Sequence, residues 1–554
     1  MYWQPALVAF LLVMPVAGIS LVEVCPDPYL PGDRDEYFCL EGDGLLDGIM
    51  VTDGEGSVRF PPGSHLGSRV VVAMDAEAYQ KSHGTYPDYE WDGDTPAVPD
   101  MIRVGRFQLA NAKDEVSLYR GQTLLQQVEW PGMVEARQGQ VHFLSNGTWD
   151  PRVLMLGQSR FSPQVFEGAR GIAFVSPDCS RGAFLSAVAG AEREILVAVY
   201  EFTSPPLAGS LISASGRGVD VRVLLEGGPV GGIPPEEKWV ISRLAGGGIP
   251  VFTMSGTADV HVPYRYMHAK YMVIDGTGVL VTSENFKGNG FPPEGKQGNR
   301  GWGVVISHPG VAEYFGTVFS HDAGGSWAVR AVPGPGKEEA PTEEDYSPKV
   351  APLEFSGATV VPVLSPDTSS LLHDLIRGAR ESIDIEMAYI TNETGDTPNP
   401  FLADAVDAAR RGVSVRVLLD SYYYNIEGSA DNDEMVAFIN AIAAGEKIPL
   451  EARCARIGAG QIEKVHTKGV IVDRKKTLIG SINWNRNSPT FNREAAVIVD
   501  HPGVGAYFTT VFDNDWTAAG KGGPRPGPDL QKIAIALAAI VAIVILFRYG
   551  KKRR

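Results

Sequence analysis

The sequence predicts a mixed α/β chain: two copies of one sheet-and-helix unit, a β-sandwich ahead of them and an apolar helix behind. Three observations carry this reading. Blocks of sequence recur in order at nearly constant spacing, apolar β-branched runs alternate with helical patterns inside each copy, and the texture changes sharply at both ends. With 554 residues, the chain has room for several domains of about 100–200 residues each.

At the start, Ala6 to Ala17 is a short apolar run ending in small residues, so residues 1–20 read as a secretory signal. Residues 21–160 follow with short alternating strands, such as Arg69 to Ala73 and Val116 to Tyr119, between Gly, Pro and Asp turns. That texture predicts a β-sandwich. Its surface is acidic, since residues 21–100 hold 17 Asp/Glu against 4 Lys/Arg. Cys25 and Cys39 could form one disulfide in an oxidising compartment. Cys179 and Cys454 lie in different repeats and read as buried thiols.

The repeat occupies residues 168–327 and 353–518. Val175-Ser-Pro-Asp178 recurs as Leu364-Ser-Pro-Asp367, Gly218-Val-Asp-Val-Arg-Val-Leu-Leu225 as Gly412-Val-Ser-Val-Arg-Val-Leu-Leu419, and His308-Pro-Gly-Val311 as His501-Pro-Gly-Val504. Ile195 to Tyr200 and Val219 to Leu225 read as buried strands with helices between and after them. Such alternation implies a sheet covered by helices on both faces, and the two units should pack about a pseudo-twofold axis. Residues 328–352, rich in Pro, Glu and Lys, read as a linker. At the end, a Gly/Pro linker over 519–529 leads to an apolar stretch over 530–549 and a basic tail over 550–554. The apolar stretch is long enough to cross a thin bilayer, and the basic tail predicts a cytoplasmic end with the bulk of the chain outside the cell.

Chemistry concentrates in the repeats. The first copy reads His268-Ala-Lys270, Asp275, then Ser283-Glu-Asn285; the second reads His466-Thr-Lys468, Asp473, then Ser481-Ile-Asn483. His and Lys two apart on a strand share one face and can reach one phosphate. Ser283, Asn285, Ser481 and Asn483 show the same alternation on what should be the adjacent strand, and are candidate phosphate-binding groups. Donors of this kind stabilise a pentacovalent phosphorus without a metal or cofactor. Glu451 to Arg493 carries 9 Lys/Arg against 3 Asp/Glu, so an anionic substrate is compatible with a chain of net charge −17.

With its two complete His-x-Lys-x4-Asp motifs, this part of the chain resembles the phospholipase D superfamily. The resemblance implies two α/β/α units sharing one active site. It implies that His268 attacks phosphorus to form a phosphohistidine, that His466 serves as general acid and base, and that Asp275 and Asp473 are structural. It also implies that a carboxylate downstream of one motif orients the histidine of the other. Glu494 fills that place for His268, while the matching residue in the first copy is Gly301. Glu284 could supply the missing carboxylate. Asp35-Glu-Tyr-Phe38, Gly48-Ile-Met-Val-Thr-Asp53 and Arg59-Phe-Pro-Pro-Gly63 resemble a lamin-tail domain, which implies an immunoglobulin-like sandwich with a binding or spacing role and an unknown ligand.

The motifs do not choose the substrate. A chain tethered at the cell membrane lies close to phospholipid headgroups, which favours their hydrolysis or transfer. The loop Gly288 to Pro293 and the aromatic cluster Tyr422 to Tyr424 are expected to border a lipid cleft. The alternatives are an anchored nuclease, for which the basic second motif would suit a phosphate backbone, and a non-enzymatic adhesion or scaffold protein.

Overall fold

The computed structural model describes residues 18–519 apart from 131–137, 146, 151, 258–259, 394, 396 and 427–430. The expected signal therefore falls outside the described residues except at its end, where Ile19 and Ser20 already belong to the strand Ile19–Cys25. The linker past Ala519, the apolar stretch over 530–549 and the basic tail also lie outside. Among the described residues no helix is long and apolar enough to cross a membrane.

Alternating strands build the N-terminal sandwich. One sheet holds Ile19–Cys25, Tyr37–Gly42, Arg69–Ala73 and Gln140–Ser145; the other holds Ile49–Thr52, Gly56–Arg59, Asp114–Arg120 and Thr123–Trp130. Inward residues Leu21, Phe38 and Val72 meet Val51, Val58 and Leu118 in one core, as period-two strands require. Cys25 and Cys39 correct the disulfide expectation, because both are free. They lie on paired strands but face Tyr37 and Glu23 rather than each other. Burial pushes both thiols well up, so they stay protonated.

Among the described residues, fifteen strands then form one continuous sheet shared by both repeats. In the first, Glu194–Val199, Asp220–Glu226 and Val251–Met254 run parallel, joined by the helices Pro205–Gly216 and Pro235–Gly246, since a parallel crossover needs a helix over the sheet. Lys270–Ile274 returns antiparallel beside Glu194–Val199, followed by Gly278–Thr282 and Gly301–Ser307. The second repeat runs through the same order, with Lys468–Val472 beside Ser382–Met387. The halves join where Phe166–Ser176 pairs antiparallel with Leu353–Ser365. A core common to both repeats takes Phe315 from the helix Pro309–Gly324 and Phe508 from the helix Pro502–Ala519. Each repeat keeps a separate core of its own.

Buried charge locks the repeats together. Arg300 pairs with Asp178 of its own repeat at 2.7 Å and with Asp515 of the other at 2.5 Å. Arg493 mirrors this with Asp367 at 2.8 Å and Asp322 at 2.8 Å. The remaining valences are filled by crossed segments. Ser159 and Phe161 precede the first repeat, yet the Ser159 hydroxyl and the Phe161 amide donate to Asp367 of the second, at 2.8 and 2.6 Å. Tyr346 and Lys349 precede the second repeat, yet donate to Asp178 of the first at 3.2 and 2.5 Å.

The segment expected to be a linker, 328–352, joins the repeats with no helix or strand after Arg330. It begins with Ala328–Arg330 paired to the sheet edge and buries Tyr346, because Asp178 needs those donors. Arg493→Met would leave Asp322 and Asp367 buried with no cation. It should cost about 3–5 kcal/mol in urea unfolding, and a loss below about 1 kcal/mol would show that the cluster does not hold the halves.

Candidate active site

Each histidine is carried by its own repeat and pinned by the other. The His268 amide donates to the Arg493 carbonyl and the Arg493 amide to the Tyr266 carbonyl, at 2.8 and 2.9 Å. The His466 amide donates to the Arg300 carbonyl and the Arg300 amide to the Lys464 carbonyl, both at 2.8 Å. The buried arginines thus fix the backbone on which the opposite histidine rests. Period-two geometry then turns His268 with Lys270, and His466 with Lys468, toward one cleft. Lys270 Nζ donates to the His268 carbonyl at 2.6 Å and Lys468 Nζ to the His466 carbonyl at 2.7 Å.

The four groups feel one another. Burial lowers the His466 pKa well below its ordinary value, and Lys468, Lys464, Lys270 and His268 push the same way. Burial lowers Lys270 to about 8 against the pull of Glu494, Glu201 and Glu284, and burial together with Lys270 drives Lys468 well down. Burial also lowers His268, opposed by Glu494. Two lysines and two histidines held together in the interior, pushed down by burial and by one another against the pull of Glu494 and Glu284, make a site that favours an anion.

The carboxylates are arranged asymmetrically. Glu494 Oε2 lies 2.8 Å from His268 Nδ1. Ser488 Oγ and Asn492 Nδ2 donate to its other oxygen at 2.5 and 3.0 Å. Burial alone would raise Glu494, but His268, Lys270 and Ser481 outweigh it and hold the carboxylate ionised. On the other side a carboxylate stands near His466 without bonding it: Glu284 Oε1 lies 3.4 Å from His466 Nδ1, and neither buried atom makes a hydrogen bond. The other oxygen of Glu284 accepts from Asn299 Nδ2 at 2.9 Å. Burial raises Glu284 to about 7. The exchange is sterically compensated, since a Cβ at Gly301 would sit 2.3 Å from Glu284 Oε1 and one at Gly290 would sit 2.9 Å from Oε2. Thus Glu284, Gly290 and Gly301 in the first repeat replace Ile482, Ser488 and Glu494 in the second.

Other expected site residues are placed differently. The Ser283 and Ser481 side chains are fully buried, and their hydroxyls accept from the Trp302 and Ala495 amides at 3.0 Å. They tie neighbouring strands together, and the Ser481 hydroxyl also helps hold Glu494 ionised. Asn285 gives its amide to Glu201 at 3.1 Å, and Asn483 takes part through its backbone, donating to Ser488 Oγ at 2.9 Å. Asp275 accepts the amides of Glu192, Arg193 and Glu194, and Asp473 those of Arg380, Glu381 and Ser382. Both stand at the far end of the motif strand from the histidine. In the loop Gly288 to Pro293, Phe291 packs with Phe184 and Phe286 in the core rather than lining a cleft, whereas Tyr423 and Tyr424 are exposed.

Several residues at the site carry no motif signal. Tyr200 packs edge-on against His268, with ring centroids 4.8 Å apart. Glu201 holds Asn285 and, at 3.3 Å, Lys287. Lys464 donates to the Tyr424 hydroxyl at 2.8 Å. Asp178 and Asp367 were visible in the sequence as repeat markers, but their pairing with Arg300 and Arg493 needed the fold.

Both repeats are similar to known proteins. The family model described as "Cardiolipin synthase, PLD-like domain" matches residues 184–323 and 372–516, together just over half of the chain. Cardiolipin synthase A of Escherichia fergusonii is 25% identical over 328 residues, covering 56% of this chain and 60% of the relative; that of Salmonella arizonae matches to the same extent. The chain thus spans about three fifths of the length of these curated relatives. Among solved structures, phosphatidylserine synthase of Haemophilus influenzae is 14% identical with a TM-score of 0.46, covering 69% of this chain and 94% of its own. The phospholipase D family member Nuc of Salmonella typhimurium is 25% identical with a TM-score of 0.25, covering 31% of this chain and 99% of its own. With both repeats matched and each carrying a complete motif, this chain belongs to the phospholipase D superfamily.

Proposed function

We propose that this protein is a phosphodiesterase that hydrolyses or transfers phospholipid headgroups through a phosphohistidine on His268. The observation that carries the proposal is the reciprocal docking, in which one His–Lys pair from each repeat shares a cleft and each histidine has its own carboxylate. The likeness to cardiolipin synthase A supports the lipid reading over the nucleic-acid one.

In this mechanism Glu494 takes the hydrogen bond from His268 Nδ1, which leaves the Nε2 lone pair to attack phosphorus. Lys270 and Lys468 balance charge on the non-bridging oxygens. As the bond to the leaving oxygen breaks, His466 Nε2 delivers a proton to it and Glu284 passes its own proton to Nδ1. Water or an alcohol then gives its proton back to the His466–Glu284 pair and attacks phosphorus, breaking the bond to His268. We further propose that the catalytic repeats work outside the cell at a membrane surface. No step calls on a metal.

The test is turnover in EDTA. Mixed phospholipid vesicles and single-stranded DNA are offered to the protein, with His268→Ala as control. Release of headgroup or phosphatidic acid that the control lacks is expected. DNA cleavage with untouched vesicles would replace the lipid reading with the nuclease one, and silence on both would revive the scaffold reading.

A further inference from the structure

We infer that Glu226 and Asp420 are positioning residues that fix the backbone just ahead of the two reacting histidines, Glu226 for His268 and Asp420 for His466. This rests on the roles proposed above for those histidines.

The recurring blocks Gly218 to Leu225 and Gly412 to Leu419 each continue with an acid, Glu226 and Asp420. Each acid stands at the end of the middle strand of its unit's three parallel strands, Asp220–Glu226 in the first and Ser414–Leu419 in the second. Both are buried. A carboxylate in that setting costs stability unless hydrogen bonds offset its desolvation, and here they do. Glu226 Oε2 accepts the Met267 amide at 2.5 Å and Oε1 the Gly228 amide at 2.7 Å. Asp420 Oδ1 accepts the Val465 amide at 2.7 Å and Oδ2 the Asn425 side-chain amide at 2.9 Å. Burial raises both carboxyls, and these amides pull them back down.

Met267 and Val465 immediately precede the histidines. The strands Lys270–Ile274 and Lys468–Val472 begin only after the histidines, so a side chain must take the buried amides that a neighbouring strand would otherwise satisfy. Successive amides of an extended segment point to opposite sides. The amide before each histidine therefore goes to the carboxylate of its own repeat, and the histidine's own amide to an arginine carbonyl of the other repeat. Held from both sides, each histidine leaves the backbone in a fixed direction. With both oxygens engaged by amides, Glu226 and Asp420 act through the histidines rather than on the substrate.

The experiment uses the full chain and a p-nitrophenyl phosphodiester, whose phenolate leaves without a proton. Glu226→Ala should slow the initial nitrophenol burst by about 10²-fold, the scale for misplacing a reacting group by about 1 Å, with KM changed less than about threefold. Asp420→Ala should leave the burst within about threefold of that of the unaltered protein and slow the release that follows it by about 10²-fold. Glu226→Gln and Asp420→Asn, which keep one oxygen for the Met267 or Val465 amide, should recover most of the loss. Thermal unfolding is followed for each variant, and Glu226→Met and Asp420→Leu, which fill the space without accepting a bond, replace an Ala variant that does not fold. Equal slowing of the burst by both substitutions, as loss of general stability would give, would overturn the positioning roles; so would full rates in folded variants. A burst that depends on His466 and not on His268 would reverse the proposed histidine roles, and the two acids should then exchange effects while the positioning stands. If the unaltered protein gives no burst, ring signals of isotope-labelled histidines in NMR spectra decide. Glu226→Ala should move those of His268 alone and Asp420→Ala those of His466 alone, and signals that neither substitution moves would overturn the inference.

Discussion

His268→Ala is expected to lower turnover by on the order of 10⁴–10⁶-fold and to abolish any covalent phosphoenzyme. His466→Ala should behave differently once the leaving group no longer needs a proton. With a p-nitrophenyl phosphodiester, whose phenolate leaves unaided, His466→Ala should still release a burst of nitrophenol and then stall with phosphorus on His268. The reason lies in the carboxylates. Glu494 is held ionised against His268 Nδ1 by Ser488 and Asn492, which suits a nucleophile. Glu284 keeps its proton up to about pH 7, which suits the group that must give one up. Quenching in acid would destroy a phosphohistidine, so the intermediate is read after alkaline quenching by phosphorus NMR or mass spectrometry of the peptide holding residue 268. A burst in His268→Ala and none in His466→Ala would reverse the two roles. Equal loss of the burst in both would remove the covalent intermediate altogether.

Much of this site was legible in the sequence because a repeat tests its own motifs. The strands Lys270–Ile274 and Lys468–Val472 follow from apolar runs set between a lysine and an aspartate at equal spacing in both copies. The pairing of Glu494 with His268 followed from the resemblance, since nothing local links residues 226 positions apart.

What the sequence concealed were the relations across the pseudo-twofold axis. Ser283 and Ser481 looked like cleft donors because alternation tells which residues share a face, not whether the chain bends away before reaching the cleft. Each accepts a backbone amide of the neighbouring strand, and Ser481 also acts on Glu494. The segment 328–352 looked like a linker because its composition is that of one, yet the demand of a buried aspartate for donors draws Tyr346 and Lys349 in. Burial, which decides whether a polar residue is solvated or used, is set by the fold and not by the residue itself.

The exchange of carboxylates gives the second large effect. Glu284→Ile alone should reduce turnover of a phospholipid, a substrate with a poor leaving group, by about 10²–10³-fold, within the range for loss of a general acid–base group. It should spare a nitrophenyl substrate by comparison. The pH profile carries the sign. A carboxyl raised to about 7 by burial is protonated below that pH and loses its proton above it, so activity that needs the shared proton falls as pH rises through 7. That limb should be absent or displaced in Glu284→Ile. Gly301→Glu alone should also be damaging, because its new side chain would enter the space Glu284 already fills.

Combined with Glu284→Ile and Gly290→Ser, however, Gly301→Glu recreates in the first repeat the arrangement by which Ile482, Ser488 and Glu494 serve His268. Activity should then recover to within about tenfold of the unaltered protein, a non-additivity that only groups sharing one space can show. If the triple variant is folded, as its thermal unfolding would report, and yet no more active than Glu284→Ile, then Glu284 does more for His466 than occupy a carboxylate position. Its place on the strand would then matter in itself, and the two repeats would not be interchangeable halves of one site.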